Sequence, residues 1–379
     1  YSSAASDVYK RQQYVDVLER ALYNGVLSGI SLTGDKFFYK NPLASRGDLR
    51  RYESWNPACC QSNLVRLFPQ VGSMAYATSD DAVQVNQFVA GEAELGLKDG
   101  TVRMRQETEY PHDGAVRIVL EQTTDEPFTI AVRIPGWARE KPVPSELYRF
   151  AASSGQKPIL TVAGETQAVD SLHKGYVHLI RTWKKGDVIA LSLPMPVRRV
   201  LADDRVAANR GRVSLQRGPL VYCVEAIDHE GTRTDALILS DDAPLHVERR
   251  RDFLGDVVVI TADAEVAEPR RWGEPATLDP QTITAIPYYA WANRGDGYMD
   301  VWLARELSEA TPLLVSAATD ATVSASAERS AKQFAAVTDG RRGPSSDFRS
   351  TPRFSWPAEA EGPQWVQLTW AEPRELSRT

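Results

Sequence analysis

Cys59 and Cys60 stand side by side, just after Pro57 and just before a helical apolar pattern. The chain has three cysteines, and two of them are here. A thiol pair at the start of a helix is chemically loaded. The N-terminal end of a helix favours negative charge and therefore the thiolate. Thiolates are both zinc ligands and nucleophiles. The competing reading is two small buried apolar side chains, the usual fate of free cysteine. A bridge between neighbours is disfavoured by its strained geometry. Zinc takes about four ligands, and the chain has no CxxC, no HExxH and no second cysteine cluster. Further ligands would have to be carboxylates or lie upstream.

The other chemistry-bearing residues are dispersed. The histidines are His112, His173, His178, His229 and His246, none spaced to share a metal with its neighbour. His173 and His178 flank a strand pattern and read as surface or turn residues. Carboxylates are too numerous for spacing to single out an acid/base pair. Glu19, on the polar side of a helix pattern, reads as a solvated glutamate. No G-x-S-x-G, P-loop or dinucleotide fingerprint is present.

Composition sets outer bounds. The 379 residues suffice for two or three domains, with 42% hydrophobic and 25% charged residues. The net charge of −6 argues against nucleic acid as a partner. No run of about 18 apolar residues exists, which argues against a membrane-spanning helix. Nine tryptophans and fourteen tyrosines suit sandwich cores and stacking on sugar rings. Three cysteines are too few for a disulfide scaffold.

The elements that must position the thiols follow from periodicity. Residues 1–12, YSSAASDVYKRQ, lack an apolar leader core and resemble translated adapter sequence. They are set aside as non-native, with the true N-terminal part expected to be missing. Tyr14, Val17, Leu18, Ala21, Leu22 and Val26 recur at helical spacing. Thr33-Gly34-Asp35 marks a turn before Phe37-Phe38-Tyr39. Leu64, Val65, Leu67, Phe68, Val71, Met74 and Ala75 predict a second helix buried on one broad face, with a kink or early break at Pro69 and Gly72.

After Thr78 the period changes to strand, turn, strand. Ala82 to Leu97 reads as one extended stretch, and Lys98-Asp99-Gly100 as a hairpin turn. Val102, Met104 and Gln106 should face one way, Arg103, Arg105 and Glu107 the other. Short strands divided by Gly/Asp turns, as at His112-Asp113-Gly114 and Lys184-Lys185-Gly186-Asp187, argue for an antiparallel sandwich. Pro194-Met195-Pro196 reads as a joint before a second strand-rich region. An Ala/Ser/Thr-rich linker from Ser316 to about Ser330 precedes a third, incomplete sandwich.

Several of these stretches carry a resemblance. Glu19-Arg-Ala-Leu-Tyr-Asn-Gly25, Phe38-Tyr-Lys-Asn-Pro-Leu43 and Ala58-Cys59-Cys60 with Asn63 resemble the end of the catalytic barrel of glycoside hydrolase family 127, the β-L-arabinofuranosidases. Arg133-Ile-Pro-Gly-Trp137, Arg217-Gly-Pro-Leu-Val-Tyr-Cys223 and Ile286-Pro-Tyr-Tyr-Ala-Trp-Ala-Asn-Arg-Gly295 are similar to that family's two β-rich domains. The resemblance runs from about Gln13 to Leu303. The stretch from Ser316 resembles the start of a galactose-binding-like sandwich.

The resemblance implies a mostly β chain. The end of an (α/α)6 barrel (two helices, 13–79) would precede two antiparallel β-sandwich domains, 80–196 and 197–315. A truncated galactose-binding-like sandwich would occupy 316–379. It implies Cys59 as nucleophile, Cys59 and Cys60 as zinc ligands, and Glu19 and Tyr39 as substrate-binding residues near the sugar. The remaining zinc ligands, a Glu and a Cys, and the acid/base glutamate would lie before Gln13. Asn56-Pro57-Ala58 departs from the run often seen there. The implied reaction is retaining release of β-L-arabinofuranose from plant-derived glycans or glycoproteins, with the chain alone expected to be inactive. Its partner would be an oligosaccharide or glycan, with no nucleic acid, no membrane, and a homodimer left open. A secreted or periplasmic setting is favoured over a cytoplasmic one. Two other classes stay in play: a carbohydrate-binding or scaffolding sandwich protein without catalysis, and a related glycosidase acting on another rare sugar.

Overall fold

The computed structural model describes residues 12–53, 59–271, 274–312, 314–315, 317–339, 354–356 and 362–373. Most of residues 1–12 and all of Asn56-Pro57-Ala58 lie outside the described residues. The described chain is mostly β, as expected. Helix α1 spans Gln12–Arg20 and runs on as a wider π-helical turn over Ala21–Val26. Helix α2 spans Cys59–Leu67 and tightens to a 3-10 segment at Phe68–Met74, with Pro69 in its first turn. The early break follows from proline, which lacks the N–H that an α-helical turn needs.

The faces of both helices differ from the expectation. In α1, Tyr14 and Val17 are exposed, while Val15, Glu19, Leu22 and Asn24 are buried. The polar face turns inward because the strands beneath it offer an arginine, a tyrosine hydroxyl and carbonyls. In α2 no residue is buried, and Val65 is 62% exposed. Leu64 lies against Gly29, just past the end of the first helical segment, where the missing Cβ leaves room for it.

The first β domain packs two sheets. The six-stranded sheet runs in the order 165–167, 159–162, 188–192, 115–122, 100–108, 91–97, and the four-stranded sheet in the order 176–181, 128–133, 82–85, 76–78. Val102, Ile118, Leu120, Leu160 and Ile189 from one sheet and Val83, Val85, Ile130, Val132 and Leu179 from the other make a single core. Full burial of each such side chain is worth about 1.5–3 kcal/mol, so this core carries the domain's stability. Val102, Met104 and Gln106 face inward, as their alternation predicts. On the outer face Arg103 pairs with Glu94, Arg105 with Glu121 and Arg117 with Glu107. Two details correct the expectation. Residues 82–97 form two strands in different sheets, because buried Asn86, Gln87 and Phe88 carry the chain across the core. Strand 82–85 runs parallel to 128–133, so the sandwich is not purely antiparallel. At Gly114 a Cβ would stand 1.8 Å from the Leu193 carbonyl oxygen, so that turn requires glycine.

Pro194-Met195-Pro196 lies between strands 188–192 and 197–202. The second β domain is not a two-faced sandwich. Strands 212–217, 220–225, 278–287, 257–267, 237–238 and 303–304 pair in a closed ring, since 212–217 bonds both 220–225 and 303–304. A closed sheet leaves no free edge along the ring. Val213, Leu215, Tyr222, Val224, Ile260 and Ile283 fill it. Two strands come from elsewhere in the chain: 44–46 pairs with 298–300, and 148–150 pairs with 197–202. The expected linker contains a strand, 322–325, paired with 366–369. Helix α3, Ala331–Thr338, starts in a capping box between Ser330 and Gln333.

Candidate active site

The thiols sit where the sequence places them, at the start of α2. Cys59 is exposed and Cys60 half-buried, with their sulfurs 3.8 Å apart. Two thiolates on one tetrahedral zinc, each at about 2.3 Å, stand about 3.8 Å apart. The pair therefore fits two corners of such an ion. Among the described residues, no group of three or more His, Cys, Asp and Glu side chains gathers to hold a metal. The Cys59 carbonyl accepts from Ser62 Oγ at 3.1 Å and Asn63 Nδ2 at 2.8 Å, which fastens the first turn of α2. Desolvation, the Cys59 hydrogen bond and the Cys59 charge push the Cys60 thiol up. The reading of two buried apolar cysteines does not hold for this pair and does hold for Cys223, which is buried.

Tyr39 and Glu19 meet opposite fates. Tyr39 is 60% exposed because its neighbour Phe38 is the inward residue. Phe38 stacks on Trp291, with centroids 4.6 Å apart and planes 8° from parallel, and the Arg51 guanidinium lies over the Phe38 ring at 4.6 Å. Arg51 also donates to the Ser28 and Trp291 carbonyls, both at 2.9 Å. The aromatic loop 286–295 thus clasps the segment that carries Tyr39 and leads toward Cys59.

Glu19 is 1% exposed, in contrast to the solvated residue its position suggests. Its carboxylate accepts from Tyr110 Oη at 2.6 Å and from both terminal nitrogens of Arg133. Arg133 has no exposed surface. It also donates to Asp16 at 2.8 Å and to the Asn86 carbonyl at 2.6 Å. The two carboxylates outweigh burial and hold its guanidinium charged. Arg20 adds donations to the Pro142 carbonyl and Gln216, both at 3.2 Å. Asn24 donates to the Pro219 carbonyl at 3.0 Å and accepts from the Val221 amide at 2.8 Å. One helix is thereby tied to both β domains.

Arg133, Phe38 and Trp291 stand within motifs of the sequence, but their local patterns do not show this work. One signal was available for Arg133. Strand 128–133 has no polar residue besides Thr129 and Arg133, the pattern of a strand covered on both faces.

Comparison with known proteins places the chain in a family. Residues 6–73 match the family model of the β-L-arabinofuranosidase GH127 catalytic domain, 82–195 the GH127 middle domain, and 197–304 the glycoside hydrolase family 127 C-terminal domain. A non-reducing end β-L-arabinofuranosidase of Bifidobacterium longum subsp. longum is 33% identical over 328 residues, covering 79% of this chain and 46% of the relative. A GH127 β-arabinofuranosidase structure superposes with a TM-score of 0.75 and 38% identity, over 80% of this chain and 47% of that one. The GH127 β-L-arabinofuranosidase Ara127N of Geobacillus stearothermophilus T6 gives 0.69 and 36%, over 78% and 46%. The chain spans about half the length of these relatives. With its three consecutive domain matches in order, the chain belongs to glycoside hydrolase family 127.

Proposed function

We propose that the protein is a retaining glycosidase that releases β-L-arabinofuranose from glycans, with Cys59 as its nucleophile. The observation that carries this reading is an exposed thiol opening α2, paired with a second thiol, inside the catalytic-domain match. Named relatives with this domain order are β-L-arabinofuranosidases. The helical segments 12–28 and 59–74 are then part of an (α/α)6 barrel, and the region from 317 part of a galactose-binding-like sandwich.

In this mechanism the Cys59 thiolate attacks the anomeric carbon. A C–S bond forms, the C–O bond to the leaving sugar breaks, and the departing oxygen takes a proton from a carboxylic acid. Water then adds to the same carbon and gives its proton to that carboxylate, and the C–S bond breaks. Two inversions retain configuration. Zinc, held in part by Cys59 and Cys60, would keep the thiols ionised at neutral pH. Tyr39 offers an exposed phenol for contact with the sugar. Glu19 serves from within, by fixing α1 on the sandwich.

Hydrolysis of an aryl β-L-arabinofuranoside by the protein carrying the whole catalytic domain, with the first-formed anomer read by proton NMR, tests this. Cys59→Ala should lose several orders of magnitude in rate with an unchanged melting temperature. Undiminished hydrolysis, or an inverted first product, would overturn it.

A further inference from the structure

His173 and His178, five residues apart, are brought together by a turn. His173 and Tyr176 exchange backbone hydrogen bonds at 3.0 and 3.1 Å, closing a two-residue loop at Lys174 and Gly175. Both loop residues have positive φ, 52° and 88°, so the chain reverses tightly and returns as strand 176–181. That strand is the edge of the four-stranded sheet, and both imidazoles are exposed, His178 on the strand and His173 just before the turn. Their ring centroids are 5.4 Å apart, with planes at 81°.

We propose that His173 and His178 form a two-imidazole site for a divalent transition-metal ion of the Zn2+ or Ni2+ class, distinct from the cysteine pair. With metal–nitrogen bonds of about 2.0–2.1 Å, two imidazoles on one ion have centroids about 4.5–5.2 Å apart for square or tetrahedral angles. The observed spacing lies just outside that range, and small side-chain rotations at exposed residues close it. The ion would staple the turn, with water in its remaining positions.

The test is calorimetric titration of Ni2+ into the full chain carrying Cys59→Ser and Cys60→Ser, which removes the competing thiols. One equivalent should bind at pH 7.5. His173→Gln or His178→Gln on that background should each weaken binding at least tenfold. Acidification to pH 5 should abolish it as the imidazoles protonate. No binding by the thiol-free chain, or binding indifferent to both substitutions, would overturn the proposal. If the thiol-free chain does not fold, histidine NMR of the wild-type chain decides. Ni2+ should broaden the His173 and His178 ring signals first, and first broadening elsewhere rejects the site.

Discussion

Glu19 of α1 and Arg133 of the first sandwich lie 114 residues apart and meet as a buried ion pair, sealed by Tyr110, Asp16 and Asn86. Two buried charges repay their desolvation only when both are present and hydrogen-bonded. The pair therefore locks where the helix sits more than it adds stability.

Breaking one side is the first prediction. Arg133→Met strands Glu19 without a cation and should cost about 3–5 kcal/mol, read as a lower urea midpoint. The double variant Glu19→Gln/Arg133→Met should recover much of that loss. A double variant as unstable as the sum of the singles would show that the residues are not coupled.

The Phe38–Trp291 stack should behave as a clasp. Phe38→Ala should cost about 3–5 kcal/mol. It should also raise amide exchange at Phe37 and Tyr52, which hydrogen-bond each other's carbonyls at 2.7 and 2.9 Å. Unchanged exchange at those two amides would remove the clasp from the account.

His229 supplies a pH signature. It is buried, with Nδ1 2.6 Å from the Glu225 carbonyl and Nε2 accepting from the Thr284 amide at 3.0 Å. Burial holds its pKa below 6.5. The unfolded chain then binds the proton at higher pH than the folded one. Stability is full above the ordinary imidazole value and falls as pH drops from there to the lowered folded value. One such group gives a slope of at most about 1.4 kcal/mol per pH unit. His229→Gln can keep both hydrogen bonds and should flatten the slope between pH 7 and 5. An unaltered slope would exclude His229 as a contributor.

Thiol chemistry should rank the cysteines. Alkylation of the native chain, mapped by mass spectrometry, should mark Cys59 first, Cys60 more slowly and Cys223 only after unfolding, following exposure and the raised thiols of the latter two. Zn2+ should protect Cys59 and Cys60 together. Fast labelling of Cys223 would contradict its burial.

Much of this protein was legible from local order. Two-residue periodicity set the inward face of strand 100–108, and Gly/Asp turns marked the hairpins. The adjacency of Cys59 and Cys60 flagged the site, because neighbours at a helix start are held close by covalent geometry alone. Pro69 broke the second helix for a reason visible in one residue.

Tertiary structure decided the rest. Helical spacing favoured the face of α1 bearing Tyr14 and Val17, yet Glu19 and Asn24 turn inward because their partners lie on strands far away in sequence. Closure of the second β domain rests on a second pairing of strand 212–217, which no local pattern encodes. His173 and His178 share no metal-binding spacing; a positive-φ turn brings their rings together. Amino-acid order determines which groups can be inward, charged or nucleophilic. Which of them meet depends on contacts between distant segments, and those form only when the whole chain packs.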